Sequence, residues 1–268
     1  MTLVELLIAM TITSMTSVVL GGLIMAVQTA RQHTEGLEEA TLQAQASFDR
    51  IRFMVSHAGV YQLDGEPTCL GLAVVNHRWS SFDLPDVLVV WSGGRNGGMA
   101  EAGLQRRLPG VNELVLYTPD SNDPSRLVEI VVPGNAAAVD FRDPGFANVI
   151  LSLLRSANAE PVLLCDRIRV SHFSESHDSL ASDVGNVRFE VEQTPSDSDL
   201  ASIAPGTFEW IDLPWAQGIV SSESGLRQAS VRMEFQIEPR SHESAGTDFK
   251  PIAIPFFASV SYRYAYQP

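Results

Sequence analysis

Positive charge is scarce in this sequence. Eighteen Lys and Arg stand against 32 Asp and Glu over 268 residues, a net charge of −14. Phosphate binding needs clustered Lys and Arg, so the balance argues against nucleic acid as a main partner, and none is expected. Cysteine is scarcer still: Cys69 and Cys165 are the only two. They are too few for a zinc site without histidines at metal spacing, and neither has them nearby. In an extracytoplasmic compartment they could form one disulfide; two buried free thiols fit the sequence equally well. The motifs of catalysis are missing too, with no G-x-S-x-G, no H-E-x-x-H and no Walker loop. SGGRNGG (92–98) is rich in glycine but has no P-loop lysine, so it reads as a turn.

Weaker chemical candidates remain. His172, Glu175, His177 and Asp178 lie close in sequence, but the five-residue step between the histidines suits neither a helix face nor a strand face. Asp120-Ser-Asn-Asp123 and Asp197-Ser-Asp199 offer carboxylates for Ca²⁺, without the glycine and distal glutamate of a full calcium loop. Trp79, Trp91, Trp210 and Trp215 read as packing residues rather than a ligand surface. No cofactor and no metal are expected, and the carboxylates read as the solvated face of an acidic domain.

What the sequence does have is a long apolar beginning, MTLVELLIAMTITSMTSVVLGGLIMAVQTAR. Residues 6–30 carry no charge, and Glu5 stands alone at their head. At 1.5 Å per residue such a helix reaches about 37 Å, enough for a bilayer core of about 30 Å. Thr and Ser at 11, 13, 14, 16 and 17, with Gly21 and Gly22, suit helix–helix contact better than pure lipid contact. A cleaved secretory signal needs a basic start and a small-x-small cleavage site, and both are missing. A plain anchor accounts for the apolar run and leaves Glu5 unexplained, although a charge in a bilayer costs about 2.5–3.5 kcal/mol at mid-depth.

Thr2-Leu3-Val4-Glu5-Leu6-Leu7-Ile8-Ala9-Met10 resembles the mature N-terminus of type IV pilin-like proteins and type II secretion pseudopilins, F-T-L-x-E-L, with Met1 where Phe is usual. The resemblance implies a short basic leader ending in Gly before Met1, cut by a prepilin peptidase, and an N-methylated Met1. It implies that Glu5 pairs with a free N-terminal amine, its own or a neighbour's, during assembly. A buried charge is tolerated when it gains an opposite charge, so Glu5 would act as a register device. The implied partners are other pilin or pseudopilin subunits, the peptidase, an inner-membrane assembly platform and membrane lipid. The implied location is the bacterial inner membrane, single-pass, with the C-terminal domain outside the cytoplasm. Many pilins have Pro near position 22, where Gly21-Gly22 stand here.

The helical pattern continues past Arg31. Leu37, Leu42, Phe48, Ile51 and Met54/Val55, with Ala40 and Ala44 between, form an apolar stripe. Gly36 reads as a bend and Gly59 as the C-terminal stop. Arg50-Ile51-Arg52, Ala58-Gly59-Val60-Tyr61 and Cys69 resemble, loosely, the W-type minor pilins and J-type minor pseudopilins. Glu5 argues against the K-type, which typically lacks it.

Beyond residue 60 the pattern turns to strands. VLVVW (87–91), ELVLYT (113–118) and RLVEIVV (126–132) are continuous apolar runs. VRFEVEQ (187–193), SVRMEFQIE (230–238) and SVSYRYAY (259–266) alternate, as antiparallel strands with one wet face do. DPGFANVILSLLRSAN (143–158) reads as a helix with Asp143 as N-cap and Pro144 at its first position. Residues 92–112 and 174–186 read as long loops.

The expected class is α+β: a long N-terminal stem helix, hydrophobic then amphipathic, on a mainly antiparallel sheet domain with an additional helix. The expected organisation is 1–30 as membrane or filament-core half, 31–58 as amphipathic half and 59–268 as extracytoplasmic domain. The expected function is a non-catalytic minor pilin or pseudopilin. The competing expectation is a membrane-tethered enzyme or ligand-binding domain that uses the helix only as an anchor.

Overall fold

A computed structural model describes residues 2–79, 82–99, 103–173, 182–201, 225–239 and 252–267. The chain begins with one continuous helix, α1 (Leu3–Ser56). There follow β1 (Val60–Tyr61), β2 (Cys69–Leu70), β3 (Leu72–Trp79), β4 (Phe82–Trp91), β5 (Leu104–Gln105), β6 (Leu114–Pro119) and β7 (Leu127–Val131). Next come α2 (Phe146–Leu154), β8 (Glu160–Cys165), β9 (Val170–Phe173), β10 (Ser182–Gly185), β11 (Val187–Thr194) and α3 (Asp197–Ala201). The last two strands, β12 (Gly225–Ile237) and β13 (Ile254–Tyr266), are the longest. The α+β class expected from sequence is the one found.

Two antiparallel sheets dominate. One has five strands in the order β3-β4-β6-β7-β8, the other three in the order β11-β12-β13. A small sheet β2-β1-β5 and the hairpin β9–β10 complete the described strands. The two large sheets differ in how many faces they cover, and the sequence shows it. Leu88, Val90, Val115, Tyr117 and Leu127 face a core shared with the stem and the three-stranded sheet. Their neighbours Val87, Val89, Leu114, Leu116, Val128 and Ile130 face a second core under α2. A sheet buried on both sides needs apolar residues at every position, hence the unbroken runs. In β12, by contrast, Ala229, Val231, Met233, Phe235 and Ile237 are buried while the residues between them are exposed or partly so. That strand has one wet face, and it alternates.

The second half of α1 packs against β8, β12 and β13. Its buried stripe is Gly36, Ala40, Ala44, Ser47, Phe48, Ile51, Met54 and Val55. Phe48 stacks on Phe235 with ring centroids 4.5 Å apart. Leu37 and Leu42, expected in this stripe, are exposed at 39% and 66%. The small residues Gly36, Ala40 and Ala44 make the contact instead, because only short side chains let the helix lie close to the strands. Gly36 therefore marks close packing and not a bend.

The end of α1 also differs from expectation. His57 is the C-cap, and its ring lies on Phe53 with centroids 4.2 Å apart. Gly59 is not the stop residue; it makes room for Trp91. A Cβ on Gly59 would sit 2.7 Å from Trp91 Cε3, and one on Gly71 2.5 Å from Trp91 Cβ. The three backbones are tied together: Gly59 N–H donates to Trp91 O (2.6 Å), Trp91 N–H to Gly71 O (2.7 Å) and Gly71 N–H to Gly59 O (2.9 Å).

The additional helix is shorter than expected. Asp143 accepts from the Gly145 amide at 2.6 Å in a preceding turn, so α2 starts at Phe146. It stops at Leu154 because residues 160–165 pair with β7. Phe146, Ile150 and Leu153, at helical spacing, are its buried face. The expected loops are also partly structured: β5 falls within 92–112, and β10 within 174–186.

Candidate functional site

The first half of α1 is bare. Fifteen large apolar side chains between Leu3 and Val27 are 50–78% exposed. An 18-residue window of this helix has a mean hydropathy of 2.0 and none of it is buried. Covering a large aliphatic side chain is worth about 1.5–3 kcal/mol. Fifteen of them, already partly shielded, amount to something on the order of 20 kcal/mol, more than the 5–15 kcal/mol that holds a whole domain together. Such a surface has to be covered by lipid or by other helices. The chain thus carries one N-terminal helix long and apolar enough to cross a membrane.

Five of the hydroxyls of this half are satisfied within the helix. Hydroxyls of Thr11, Thr13, Ser17 and Thr29 donate to the carbonyls of Leu7, Ala9, Thr13 and Met25 at 2.8–3.0 Å. Thr16 donates to Thr13 O at 2.9 Å and Ile12 O at 3.1 Å. Hydroxyls bonded back to the preceding turn can enter hydrocarbon at little cost. A Cβ built on Gly21 or Gly22 meets nothing within 4 Å, so no part of the described chain lies over them.

Glu5 has a local role that the sequence pattern could have revealed. Thr2 is the N-cap, and its hydroxyl accepts from Glu5 N–H at 3.4 Å. The Glu5 carboxylate reaches back to accept from Thr2 N–H at 2.8 Å. This is a capping box, whose signature is a Thr followed three residues later by Glu at the head of an apolar run. The carboxylate also sits at the positive end of the helix dipole. The pairing of Glu5 with the N-terminal amine cannot be placed, since Met1 lies outside the described residues. Leu3, Val4 and Leu6, the rest of the expected motif, point outward at 78%, 62% and 50% exposure.

Besides its buried apolar stripe, the packed half is tied to the domain by ion pairs. Glu129 on β7 is 2% exposed. Arg50 of α1 meets it with two hydrogen bonds, Nε to Oε2 at 2.7 Å and Nη2 to Oε1 at 2.9 Å. Tyr117 donates its hydroxyl to Oε2 at 3.1 Å, and Arg95 Nε lies 3.4 Å from Oε1. The bonds to Glu129 raise the Arg50 pKa, and burial pushes the Tyr117 phenol well up. A second link is Arg167 to Glu39 at 3.0 Å.

The other candidates resolve as structural groups. The thiols of Cys69 and Cys165 are free. Cys165 belongs to the core under the stem and Cys69 packs against the core under α2. Burial pushes both thiols up, Cys165 to about 12, which disfavours the reactive thiolate. His172 faces Asp183 across the β9–β10 hairpin; Glu175, His177 and Asp178 lie outside the described residues. Asp120 and Asp123 accept from nearby backbone amides, Asp197 pairs with Arg227 at 2.6 Å, and Asp199 accepts from Ser196. Among the described residues no three His, Cys, Asp or Glu converge as metal ligands. Trp91 is fully buried; its indole N–H donates to Glu113 Oε2 at 3.1 Å. Glu113 also takes two bonds from Arg107 and one from Gly110 N–H, and its pKa falls to about 2, chiefly through Arg107. Trp210 and Trp215 lie outside the described residues.

Comparison with protein-family models, with characterised proteins and with solved structures finds no match to this chain.

Proposed function

We propose that this chain is a non-catalytic structural subunit, a minor pilin or pseudopilin of a type IV pilus-like or type II secretion filament. The observation that carries the reading is the bare first half of α1, wholly exposed, with Glu5 as its one carboxylate. Lipid covers that surface before assembly, and the equivalent helices of neighbouring subunits cover it afterwards. Glu5 then couples the two states. It is capped locally by Thr2, and a neighbour's amine at the right axial offset adds a second partner. The domain sits outside the cytoplasm, held to the stem by Arg50–Glu129. The partners are other subunits of the filament, a prepilin peptidase that generates an N-methylated Met1, and the assembly platform in the inner membrane.

Mass spectrometry of the N-terminal peptide from isolated membranes tests the reading. A methylated amine at position 1, after a leader ending in Gly, is the expected result. An unprocessed start, or a start beyond residue 25, overturns it. The competing reading, a tethered ligand-binding domain, gains support from the cavity described next. Glu5→Ala separates the two. A filament subunit with this change still inserts into membranes but fails to incorporate, whereas a tethered domain is indifferent to it.

A further inference from the structure

A cavity of about 540 Å³ opens between the five-stranded sheet, the end of α2 and β10. Its apolar wall is made by Val128 and Ile130 of β7 and by Leu151 and Leu154 of α2. Thr118 of β6, cross-strand from Val128, belongs to the same lining; it is only 2% exposed, and its hydroxyl has no hydrogen-bond partner among the described residues. Buried hydroxyls are ordinarily bonded, and an unbonded one facing a cavity points to something that enters. On the neighbouring strands of the same sheet, at a register shift between Val75 and His77, Asp86 meets the imidazole, with Asp86 Oδ1 2.8 Å from His77 Nδ1. Bulges of this kind re-aim side chains and collect beside binding sites. Asp86 is 4% exposed.

Charge decides what kind of molecule fits. Three aspartates line the cavity, Asp86, Asp120 and Asp183, with Arg155 and His77; Asp86 is bonded to His77 and Asp183 to His172, which leaves carboxylates in excess over the one guanidinium. In a chain of net charge −14 this repels anions and favours a cation. Among the described residues that line it there is no Phe, Tyr or Trp, and the one ring, the His77 imidazole, is engaged by Asp86, so a quaternary ammonium would find no electron-rich π-face to rest on. A primary ammonium can instead donate to the Thr118 oxygen and to the carboxylates. The volume is in the range of small-molecule sites.

We infer that this cavity binds a small primary amine with an apolar body: the ammonium lies toward Thr118 and the carboxylates, the body against Val128, Ile130, Leu151 and Leu154. The inference stands whether or not the chain assembles into a filament.

The test uses the full chain in detergent micelles with methyl-labelled Val, Ile and Leu, and three probes of one shape: benzylamine, benzyl alcohol and benzoate. Benzylamine is expected to shift the methyl signals of Val128, Ile130, Leu151 and Leu154 saturably, at least tenfold more tightly than benzoate and more tightly than benzyl alcohol. Thr118→Val is expected to weaken benzylamine about fivefold with the remaining methyl spectrum unchanged. Absence of a saturable shift, or equal or tighter binding of benzoate or benzyl alcohol, overturns the inference. That comparison is made on the unaltered protein and does not depend on the variant's folding.

Discussion

The two halves of α1 have the same backbone and opposite surroundings. Between Leu3 and Val27 the large side chains are bare; between Ala40 and Val55 one stripe is wholly buried. The bare half is hydrophobic on every side and carries its largest aliphatic residues outward. The packed half buries Gly36, Ala40, Ala44 and Ser47 alongside Phe48, Ile51, Met54 and Val55, and turns Leu37 and Leu42 to the exterior. Hydrophobicity alone therefore does not identify the contact face of this helix. Where the strands lie close, small residues enter the interface; where nothing in the described chain lies over the helix, large ones face out.

The sharpest test of that contrast makes one substitution in both halves. Ile51→Ala is expected to lower the stability of the domain by about 4 kcal/mol, since the residue is fully buried. Ile12→Ala, at 58% exposure, is expected to change it by less than about 0.5 kcal/mol. Denaturant titration of the detergent-solubilised chain, followed by tryptophan fluorescence, measures both. Equal effects would mean that the halves unfold as one unit.

Arg50→Ala comes next, at about 3 kcal/mol, because it leaves the Glu129 carboxylate buried with weaker partners. Arg52→Ala, two residues along the helix and paired among the described residues with the exposed Asp49, is expected to cost less than about 0.5 kcal/mol. The same titration distinguishes them, and a small effect of Arg50→Ala would show that the stem is held by packing alone.

Gly71→Ala should cost about 2 kcal/mol, by driving a methyl into Trp91. Gly21→Ala, in the bare half, should leave the domain unchanged, having nothing within 4 Å to strike. Thermal melts of both variants, read by near-ultraviolet circular dichroism, would show the difference.

The smallest effect is pH-dependent. Glu113 has its pKa lowered to about 2 from an ordinary 4.5 by Arg107. A carboxylate depressed on folding stabilises the protein above its unfolded pKa, and that stability is lost as pH falls through the folded one. Glu113→Gln is expected to cost about 1 kcal/mol at neutral pH, the Arg107 end being half exposed and screened by solvent. The gap between variant and wild type should close between pH 4.5 and 2. A gap constant across that window would mean that the Arg107 pair contributes nothing.

Much of the fold was legible because its period was. Val187, Phe189 and Val191 alternate with charged residues and form β11; Val87–Trp91 run unbroken and form a strand covered on both faces. The capping box at Thr2 and Glu5 has an equally local signature, which the reading of Glu5 as an assembly residue passed over. The smaller strands were not, because β1, β2 and β5 are two residues long and exist only through their pairing. The N-terminus of α2 was misplaced because Asp143 caps a turn with the same side-chain chemistry it would use to cap a helix.

By itself the sequence determined the quantities that depend on local spacing: an uncharged run of helix length, one carboxylate at its head, and strands with one covered face or two. Tertiary structure alone decided which residues meet. Gly59 and Gly71 flank Trp91, Arg50 reaches Glu129 across 79 positions, and Thr118 stands unbonded in a cavity walled by α2. The reason is physical. Periodicity reports the direction in which a side chain points, whereas steric fit and the pairing of buried charge depend on what a distant segment brings to the same place.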